Sequence, residues 1–223
     1  MKYYAIIVAG GSGQRMNSSI PKQFIELNGL PILMHTLDRF YTANAAIELV
    51  VVLPKSHHHT WEALCNKHNF NIPHTVCEGG NSRFQSVKKG LALCTEESII
   101  AVHDGVRPLI SPDFILSIYK DAESKKAVIP VCPVVESIRK IKGDSSEALD
   151  RSDYYTVQTP QCFTSTLLHK AYLQEEALIF TDDASVVESL GAKVHLFDGD
   201  VDNIKITTPK DLLLAEALLN FSI

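Results

Sequence analysis

The sequence predicts a three-layer α/β domain built on a mostly parallel central sheet. Its apolar runs, such as 3–9 and 47–53, are continuous rather than alternating, which is typical of parallel strands covered by helices on both faces. Amphipathic helical segments separate these runs, and this alternation of strands and helices is the pattern of a doubly wound sheet. Because 45% of the 223 residues are apolar, we expect a core that needs no disulfide or metal.

Hydrophobic periodicity and turn residues set the order of the elements. The predicted strands are 3–9, 47–53, 74–77, 98–102, 127–131 and 193–197. The predicted helices are 31–42, 60–68, 82–94, one that begins at 111, 181–190 and 209–219. Pro31 suits a first helical turn, Pro54 ends the second strand, and Ser111 is the expected N-cap of the fourth helix.

The segment at about 136–155 breaks this alternation. It is polar, contains short alternating runs, and carries a turn signal at Gly143 and Asp144. We therefore expect an antiparallel insertion at about 136–155 within a single domain that spans 1–223.

Charge and composition argue against several classes of protein. The net charge of −5 and the isoelectric point of about 6.0 differ from the basic balance of a general nucleic-acid binder. No run reaches the ~20 apolar residues of a membrane span. The five cysteines are widely spaced and include no C-x-x-C pair, so we expect a cytoplasmic protein in a reducing compartment.

A glycine-rich loop after the first strand is the first candidate for chemistry. Glycines let backbone N–H groups approach an anion closely, and the cations Arg15 and Lys22 suit a triphosphate. The loop is neither a Walker A motif nor a dinucleotide fingerprint, because Met16 stands where the third glycine belongs. The alternative is a tight turn with two solvated cations. The candidate residues are Ala9, Gly10, Gly11, Ser12, Gly13, Gln14, Arg15 and Lys22.

A second glycine pair lies at the start of a predicted helix, where backbone amides can face a ligand above the sheet. Gly80 follows Gly79, and the side chains of Asn81 and Ser86 can donate and accept as base or ribose recognition requires. The alternative is a glycine turn with an ordinary N-cap.

Asp104 and Lys205 are the candidate charged groups later in the chain. Asp104 ends a buried strand and suits a Mg²⁺ bound jointly with substrate phosphates, whereas the alternative is a structural ion pair with Arg107. Lys205 lies between apolar residues just before a helix, and the alternative is a surface lysine.

Three further features are weaker. Arg151 follows an aspartate in the inserted segment, and Thr181 begins T-D-D-A-S, where it is also a good N-cap with acids in the first turn. The run His57-His58-His59 invites a metal-site interpretation, but consecutive histidines on regular structure cannot all face one ion. We predict a solvated loop there.

Taken in order, these motifs resemble a known enzyme family. They are A-G-G-S-G-Q-R-M then P-K-Q, G-G-N-S-R-F-Q-S-V, V-H-D-G-V-R-P, T-P-Q, T-D-D-A-S and N-I-K-I-T-T-P. Together they resemble the 2-C-methyl-D-erythritol 4-phosphate cytidylyltransferases of the non-mevalonate isoprenoid pathway, over nearly the whole chain. The third motif often reads V-H-D-A-A-R-P in that family, so Gly105 and Val106 are a departure from it.

The resemblance implies a Rossmann-like nucleotidyltransferase fold with a protruding β-arm that holds a homodimer. It also implies transfer of a cytidylyl group from CTP to 2-C-methyl-D-erythritol 4-phosphate, with Mg²⁺, to give 4-diphosphocytidyl-2-C-methyl-D-erythritol and pyrophosphate. A ribitol 5-phosphate cytidylyltransferase and a non-catalytic nucleotide sensor are the alternatives. No nucleic-acid or membrane partner is expected.

The resemblance also assigns roles to residues. The first loop would cradle the CTP phosphates, and Gly80, Asn81 and Ser86 would hold cytosine and ribose. Asp104 would lie near the magnesium. Arg15 and Lys22 match residues that stabilise the transition state, and Arg151 and Lys205 match residues that position the sugar phosphate. Weaker matches at the acceptor site are Ser137, Thr159 and Thr181, with Ser137 and Arg151 reaching the partner subunit's site.

Overall fold

The computed structural model describes residues 1–11 and 20–221. Its strands are β1 (Lys2–Val8), β2 (Glu26–Leu27), β3 (Leu30–Pro31), β4 (Glu48–Leu53), β5 (Thr75–Glu78), β6 (Ser98–Asp104), β7 (Ala127–Pro133), β8 (Arg139–Lys142), β9 (Ser145–Ala148), β10 (Tyr155–Val157), β11 (Gln161–Thr164) and β12 (His195–Asp198). Its helices are α1 (Ile32–Ala43), α2 (His58–Lys67), α3 (Arg83–Leu91), α4 (Pro112–Lys125), α5 (Ser165–Ala171), α6 (Asp183–Glu188) and α7 (Pro209–Phe221).

Within the described residues, eight strands form one central sheet with β1 near its middle. β1 pairs in parallel with β4 and β6, and β5 and β12 pair in parallel with β4 and β7. β11 runs antiparallel to both β6 and β7, so these two strands point in the same direction. The mostly parallel sheet predicted from the continuous apolar runs is therefore confirmed.

Helices cover both faces of this sheet, as the buried runs require. Alternate residues of β1 face opposite sides: Ala5 and Ile7 belong to the core cluster that includes α1 and α4, and Tyr4 and Ile6 belong to the cluster with α3, α5 and α6. A smaller apolar cluster holds α7 against β2 and the segment after β6. No helix among the described residues has the length and apolar character needed to traverse a bilayer.

The inserted segment, which we call the arm (136–155), departs from the sheet. β8 and β9 form a separate antiparallel hairpin whose residues are all exposed, including Ile141 at 73%. The turn between them contains Gly143 at a φ of 56°, a conformation that suits glycine. The antiparallel pairing predicted from the alternating pattern is therefore present.

The structure tests three predictions about helix starts and loops. Ser111 does cap α4, because its Oγ accepts the Phe114 N–H. Thr181 is not the N-cap of α6; Asp182 is, in a reciprocal capping box with Ser185. The solvated loop predicted at 57–59 is also wrong, because His57 ends a 3₁₀ turn and His58 begins α2.

Candidate active site

A cavity of about 270 Å³ opens at the carboxyl edge of the sheet, where parallel α/β sheets bind their ligands. Its walls come from the ends of β1 and β6, the start of α3 and the segment before α7. The predicted site residues that line it are Ala9, Gly10, Gly11, Lys22, Gly80, Asn81, Ser86, Asp104 and Lys205. Four others from the first loop, Ser12, Gly13, Gln14 and Arg15, lie outside the described residues.

Lys22 lies close to Gly11 in the wall of this cavity. A methyl group added at Gly11 would stand 3.3 Å from the Lys22 Cε and 3.7 Å from its Nζ. Glycine therefore leaves room for the Lys22 side chain beside Gly11. This places one cation where the sequence predicts an anion-binding loop.

The second glycine pair forms a tight turn into α3. Ser82 caps the helix by accepting the Gln85 N–H at 3.1 Å. The Ser86 hydroxyl donates to the Ser82 carbonyl at 2.8 Å and accepts the Gly80 N–H at 3.0 Å. A Cβ at Gly80 would lie 2.3 Å from the Gln85 Cβ, so only glycine fits. The same turn therefore contains an ordinary N-cap, Ser82, and forms part of the cavity wall.

Asp104 presents a buried carboxylate to the cavity and is only 8% exposed. Its Oδ2 contacts the Lys205 Nζ at 3.0 Å and the Arg107 Nε at 3.1 Å. Burial alone would raise the pKa of Asp104, but the charges of Lys205 and Arg107 hold that pKa well below its usual range. The ion pair with Arg107 therefore exists, and it does not remove Asp104 from the cavity.

Gly105, one of the two departures from the family motif, packs the end of β6 against the end of β1. Its N–H donates to the Val8 carbonyl at 2.9 Å. A methyl group here would lie 3.0 Å from the Ala9 Cβ and 3.1 Å from the Leu33 Cδ1. The absence of a side chain thus allows the two site-bearing strand ends to approach closely.

Arg83 also lines the cavity, although no motif predicts a role for it. Its Nη1 and Nη2 donate to the two oxygens of fully buried Asp183 at 2.9 and 2.5 Å. The Tyr172 hydroxyl donates to the same carboxylate at 2.6 Å. Burial lowers the pKa of Arg83, but Asp183 more than offsets this and raises it, so the guanidinium stays charged. Local sequence carries no signal for this pair, because 100 residues separate its members.

The remaining predicted residues do not line the cavity in a single chain. Ser137 and Arg151 lie exposed in the arm, where Arg151 donates to the Val135 carbonyl. Thr181 is exposed just before α6. Thr159 is buried behind Asp104, and its Oγ1 accepts the Asp104 N–H at 3.1 Å.

The site offers few protein ligands for a metal. No group of three or more histidine, cysteine or acidic side chains suited to a metal ion occurs among residues 1–11 and 20–221. Asp104 supplies one carboxylate, and among the described residues its charged contacts go to Oδ2. One carboxylate together with substrate phosphates is a usual Mg²⁺ arrangement, so the residues present fit that ion.

Comparison with known proteins identifies the family. The model of the family described as IspD, 2-C-methyl-D-erythritol 4-phosphate cytidylyltransferase, matches residues 3–221. The chain belongs to the IspD family. The IspD relative from Bacteroides thetaiotaomicron is 50% identical over 98% of this chain and 100% of its own length. One from Porphyromonas gingivalis is 51% identical over 98% of each chain.

Solved structures of IspD proteins have the same fold. The 2-C-methyl-D-erythritol 4-phosphate cytidylyltransferase of Thermus thermophilus superimposes with a TM-score of 0.80 at 30% identity, covering 99% of this chain and 100% of that one. The 4-diphosphocytidyl-2C-methyl-D-erythritol synthase of Anaerococcus prevotii gives 0.82 at 30% identity, covering 98% and 96%. The predicted family and the predicted fold class are both confirmed.

Proposed function

We propose that this chain transfers the cytidylyl group of CTP to 2-C-methyl-D-erythritol 4-phosphate, in the non-mevalonate route to isoprenoid precursors. The observation that carries the proposal is the convergence of Lys22, Lys205 and Asp104 on one cavity in a chain of the IspD family. Two cations and one carboxylate at the end of a parallel sheet suit a nucleoside triphosphate.

The proposed reaction is a direct displacement. A phosphate oxygen of the acceptor forms a bond to the α-phosphorus of CTP, and the bond from that phosphorus to the bridging oxygen breaks. Pyrophosphate leaves with the electron pair, and no covalent enzyme intermediate is required. Negative charge grows on the α-phosphoryl oxygens, so fixed cations and correct positioning supply most of the catalysis.

The residues of the first loop and of the turn into α3 would bind the nucleotide. Backbone N–H groups of 9–14 would cradle the phosphates, and Gly80, Asn81 and Ser86 would hold cytosine and ribose. Lys22, together with Arg15, would stabilise the charge of the transition state. The position of Lys22 beside Gly11 supports this role, because both residues line the cavity and the ammonium group lies close to Gly11.

Magnesium and the acceptor complete the proposed site. Asp104 would hold Mg²⁺ together with the triphosphate, and the ion would neutralise phosphate charge when bound. Lys205 and Arg151 would position the sugar phosphate, with Ser137 and Thr181 nearby. Lys205 supports this assignment by lining the cavity with a side chain that is 40% exposed.

A homodimer joined through the arm would bring Ser137 and Arg151 to the partner subunit's site. The exposed apolar side chains of the arm and its flanks support this arrangement, among them Val135, Ile141 and Tyr155. A second copy would remove this surface from water. We also propose a cytoplasmic location, which the five unpaired cysteines support.

The test of this function is pyrophosphate release from purified protein with Mg²⁺ and CTP. Methylerythritol 4-phosphate and ribitol 5-phosphate are supplied in parallel, with UTP and ATP as nucleotide controls. We expect release only with CTP and methylerythritol 4-phosphate. Release with ribitol 5-phosphate instead would change the acceptor, and CTP binding without release from either would favour a nucleotide sensor.

A further inference from the structure

Thr159 occupies an unusual place in the strand ladder. β11 pairs with β6 so that Gln161 lies opposite Val102, and continuing this register by two residues places Thr159 opposite Asp104. The Asp104 N–H does not donate to a backbone carbonyl there; it donates to the Thr159 Oγ1 at 3.1 Å. The Thr159 carbonyl instead accepts from the Asn203 Nδ2 at 2.9 Å. A side chain therefore supplies the acceptor at the point where β11 has not yet begun.

The proton of the same hydroxyl is also used. The His103 Nε2 lies 3.3 Å from the Arg107 carbonyl, which can only accept, so Nε2 carries the hydrogen. The His103 Nδ1 is then an acceptor, and it lies 3.1 Å from the Thr159 Oγ1. Thr159 donates to His103 and accepts from Asp104. At 6% exposure it has little surface left for a substrate.

We infer that Thr159 is a positioning residue for Asp104 rather than a group that contacts the acceptor, an inference that rests on the proposed function. The strand end that carries Asp104 is held from one side by β1, where Gly105 N–H donates to the Val8 carbonyl, and from the other side by the Thr159 hydroxyl.

Thr159 also joins this strand end to the segment that carries Lys205. Asn203, bonded to the Thr159 carbonyl, accepts the Arg107 Nη1 at 2.7 Å through its own carbonyl. Arg107 and Lys205 both contact the Asp104 carboxylate. Loss of the Thr159 hydroxyl therefore loosens the carboxylate of Asp104 and leaves a buried N–H and a buried imidazole nitrogen without partners.

Two matched variants test this inference: Thr159→Val, which keeps the shape without the hydroxyl, and Thr159→Ser, which keeps the hydroxyl. The measurement is CTP affinity by calorimetry, with Mg²⁺ and without any acceptor. We expect about tenfold weaker CTP binding by Thr159→Val, and binding by Thr159→Ser within about threefold of the unmodified protein. Thr159→Cys, whose sulfur is a weak acceptor, replaces the valine variant if that variant does not fold.

Steady-state constants separate the two roles of Thr159. A positioning role through Asp104 raises the KM for CTP and lowers kcat, and serine restores both. Unchanged CTP affinity in all variants, with a raised KM for the acceptor alone, overturns the inference and makes Thr159 an acceptor contact. If the unmodified protein binds CTP but transfers it to neither acceptor, the proposed function fails, while the CTP affinities of the variants still decide the role of Thr159.

Discussion

Two ion pairs with buried carboxylates border the cavity, and they are built in opposite orientations. At the first, the carboxylate of Asp104 faces the cavity and Arg107 lies behind it. At the second, the guanidinium of Arg83 faces the cavity and Asp183 lies behind it, fully buried. One pair presents negative charge to a ligand and the other presents positive charge.

The two pairs differ in the third group that contacts the carboxylate. Asp104 shares its carboxylate with Lys205, whose side chain is 40% exposed and lines the cavity. Asp183 instead receives the buried hydroxyl of Tyr172. We call Asp104 with its cations the open pair, because among the described residues Lys205 makes a single contact and can exchange it for a ligand phosphate at small cost. We call Arg83–Asp183 the closed pair, because two hydrogen bonds hold the guanidinium on a fully buried carboxylate. The comparison teaches that the first pair is suited to binding and the second to holding one cation in place.

The largest effect is expected at the closed pair. Asp183→Asn leaves Arg83 without a carboxylate partner, so the free energy of unfolding should fall by about 3–5 kcal/mol. Urea denaturation measures this loss. Tyr172→Phe is the matched control, because it removes only one hydrogen bond to the same carboxylate and should cost about 1–3 kcal/mol. Equal losses in the two variants would show that the Arg83–Asp183 pair adds nothing.

The open pair should affect catalysis as well as folding, because Asp104→Asn also leaves the buried Arg107 without a carboxylate partner. Asp104→Asn removes the charge that faces the ligand, and turnover should fall by about 10²–10³-fold, the usual effect of one well-placed charged group. The pyrophosphate assay measures it, with Asp113→Asn on the exposed face of α4 as the control. Near-normal turnover of Asp104→Asn would assign this aspartate to structure alone.

Acidification should destabilise the fold next to the open pair. Burial lowers the pKa of His103 from 6.5 to about 3, so below pH 6.5 the unfolded chain binds a proton that the folded chain does not. Stability due to this residue is therefore lost as pH falls from 6.5 towards 3, by about 1.4 kcal/mol per pH unit. Unfolding of the unmodified protein and of His103→Gln between pH 7 and 4 measures the slope.

The Asp104 carboxylate provides a control for this pH dependence. Its lowered pKa means that its contribution is complete above about 3.8 and is lost only as pH falls further. Asp104→Asn should therefore keep the slope between pH 6.5 and 4 that His103→Gln removes. An unchanged slope in His103→Gln would mean that His103 is accessible to protons in the folded chain.

Lys205 contacts Asp104 in the open pair, and its proposed role is to position the sugar phosphate of the acceptor. Lys205→Ala should raise the acceptor KM by about tenfold and the CTP KM by much less, because the lost cation positions the sugar phosphate. Both constants come from steady-state kinetics, with Lys120→Ala on α4 as the control. Equal increases for the two substrates would argue against acceptor positioning.

The smallest effect is expected at an exposed pair. Lys125 and Asp121 lie one turn apart on α4 with their charged atoms 2.9 Å apart. Asp121→Asn should change the free energy of unfolding by no more than about 0.5 kcal/mol, because solvent screens both charges. A loss as large as that of Asp183→Asn would contradict the distinction between buried and exposed pairs.

The sheet and one of these two pairs could be predicted from sequence. Continuous apolar runs give β1, β4 and β6, and the carboxyl ends of parallel strands meet at one edge, which places Asp104 beside the first loop. Arg107 follows three residues later, so its ion pair with Asp104 can be predicted from nearby residues alone. The choice between a structural and a ligand-binding Asp104 stays open from sequence, and the structure shows both the ion pair with Arg107 and a place in the cavity wall.

The second pair could not be predicted, because its partners meet only through the tertiary fold. The T-D-D-A-S pattern predicts a cap at Thr181. Thr181 and Asp182 are both good caps, however, and hydrogen bonding to Ser185 selects Asp182. Asp183 then points inward to Arg83. The resemblance places Thr159 at the acceptor site, and this stays a prediction. Motif matching does not show which groups the hydroxyl bonds, and in the structure these are the Asp104 N–H and the His103 Nδ1.

Gly105 has a consequence for anyone who redesigns this cleft. The ends of β1 and β6 are tightly packed here, since a methyl group at position 105 would stand 3.0 Å from the Ala9 Cβ. Substitutions in the two loops that meet at this contact therefore have to be designed together. Alanine at position 105 requires small shifts of Ala9 and Leu33, so a library that varies position 105 should vary these neighbours in the same clones.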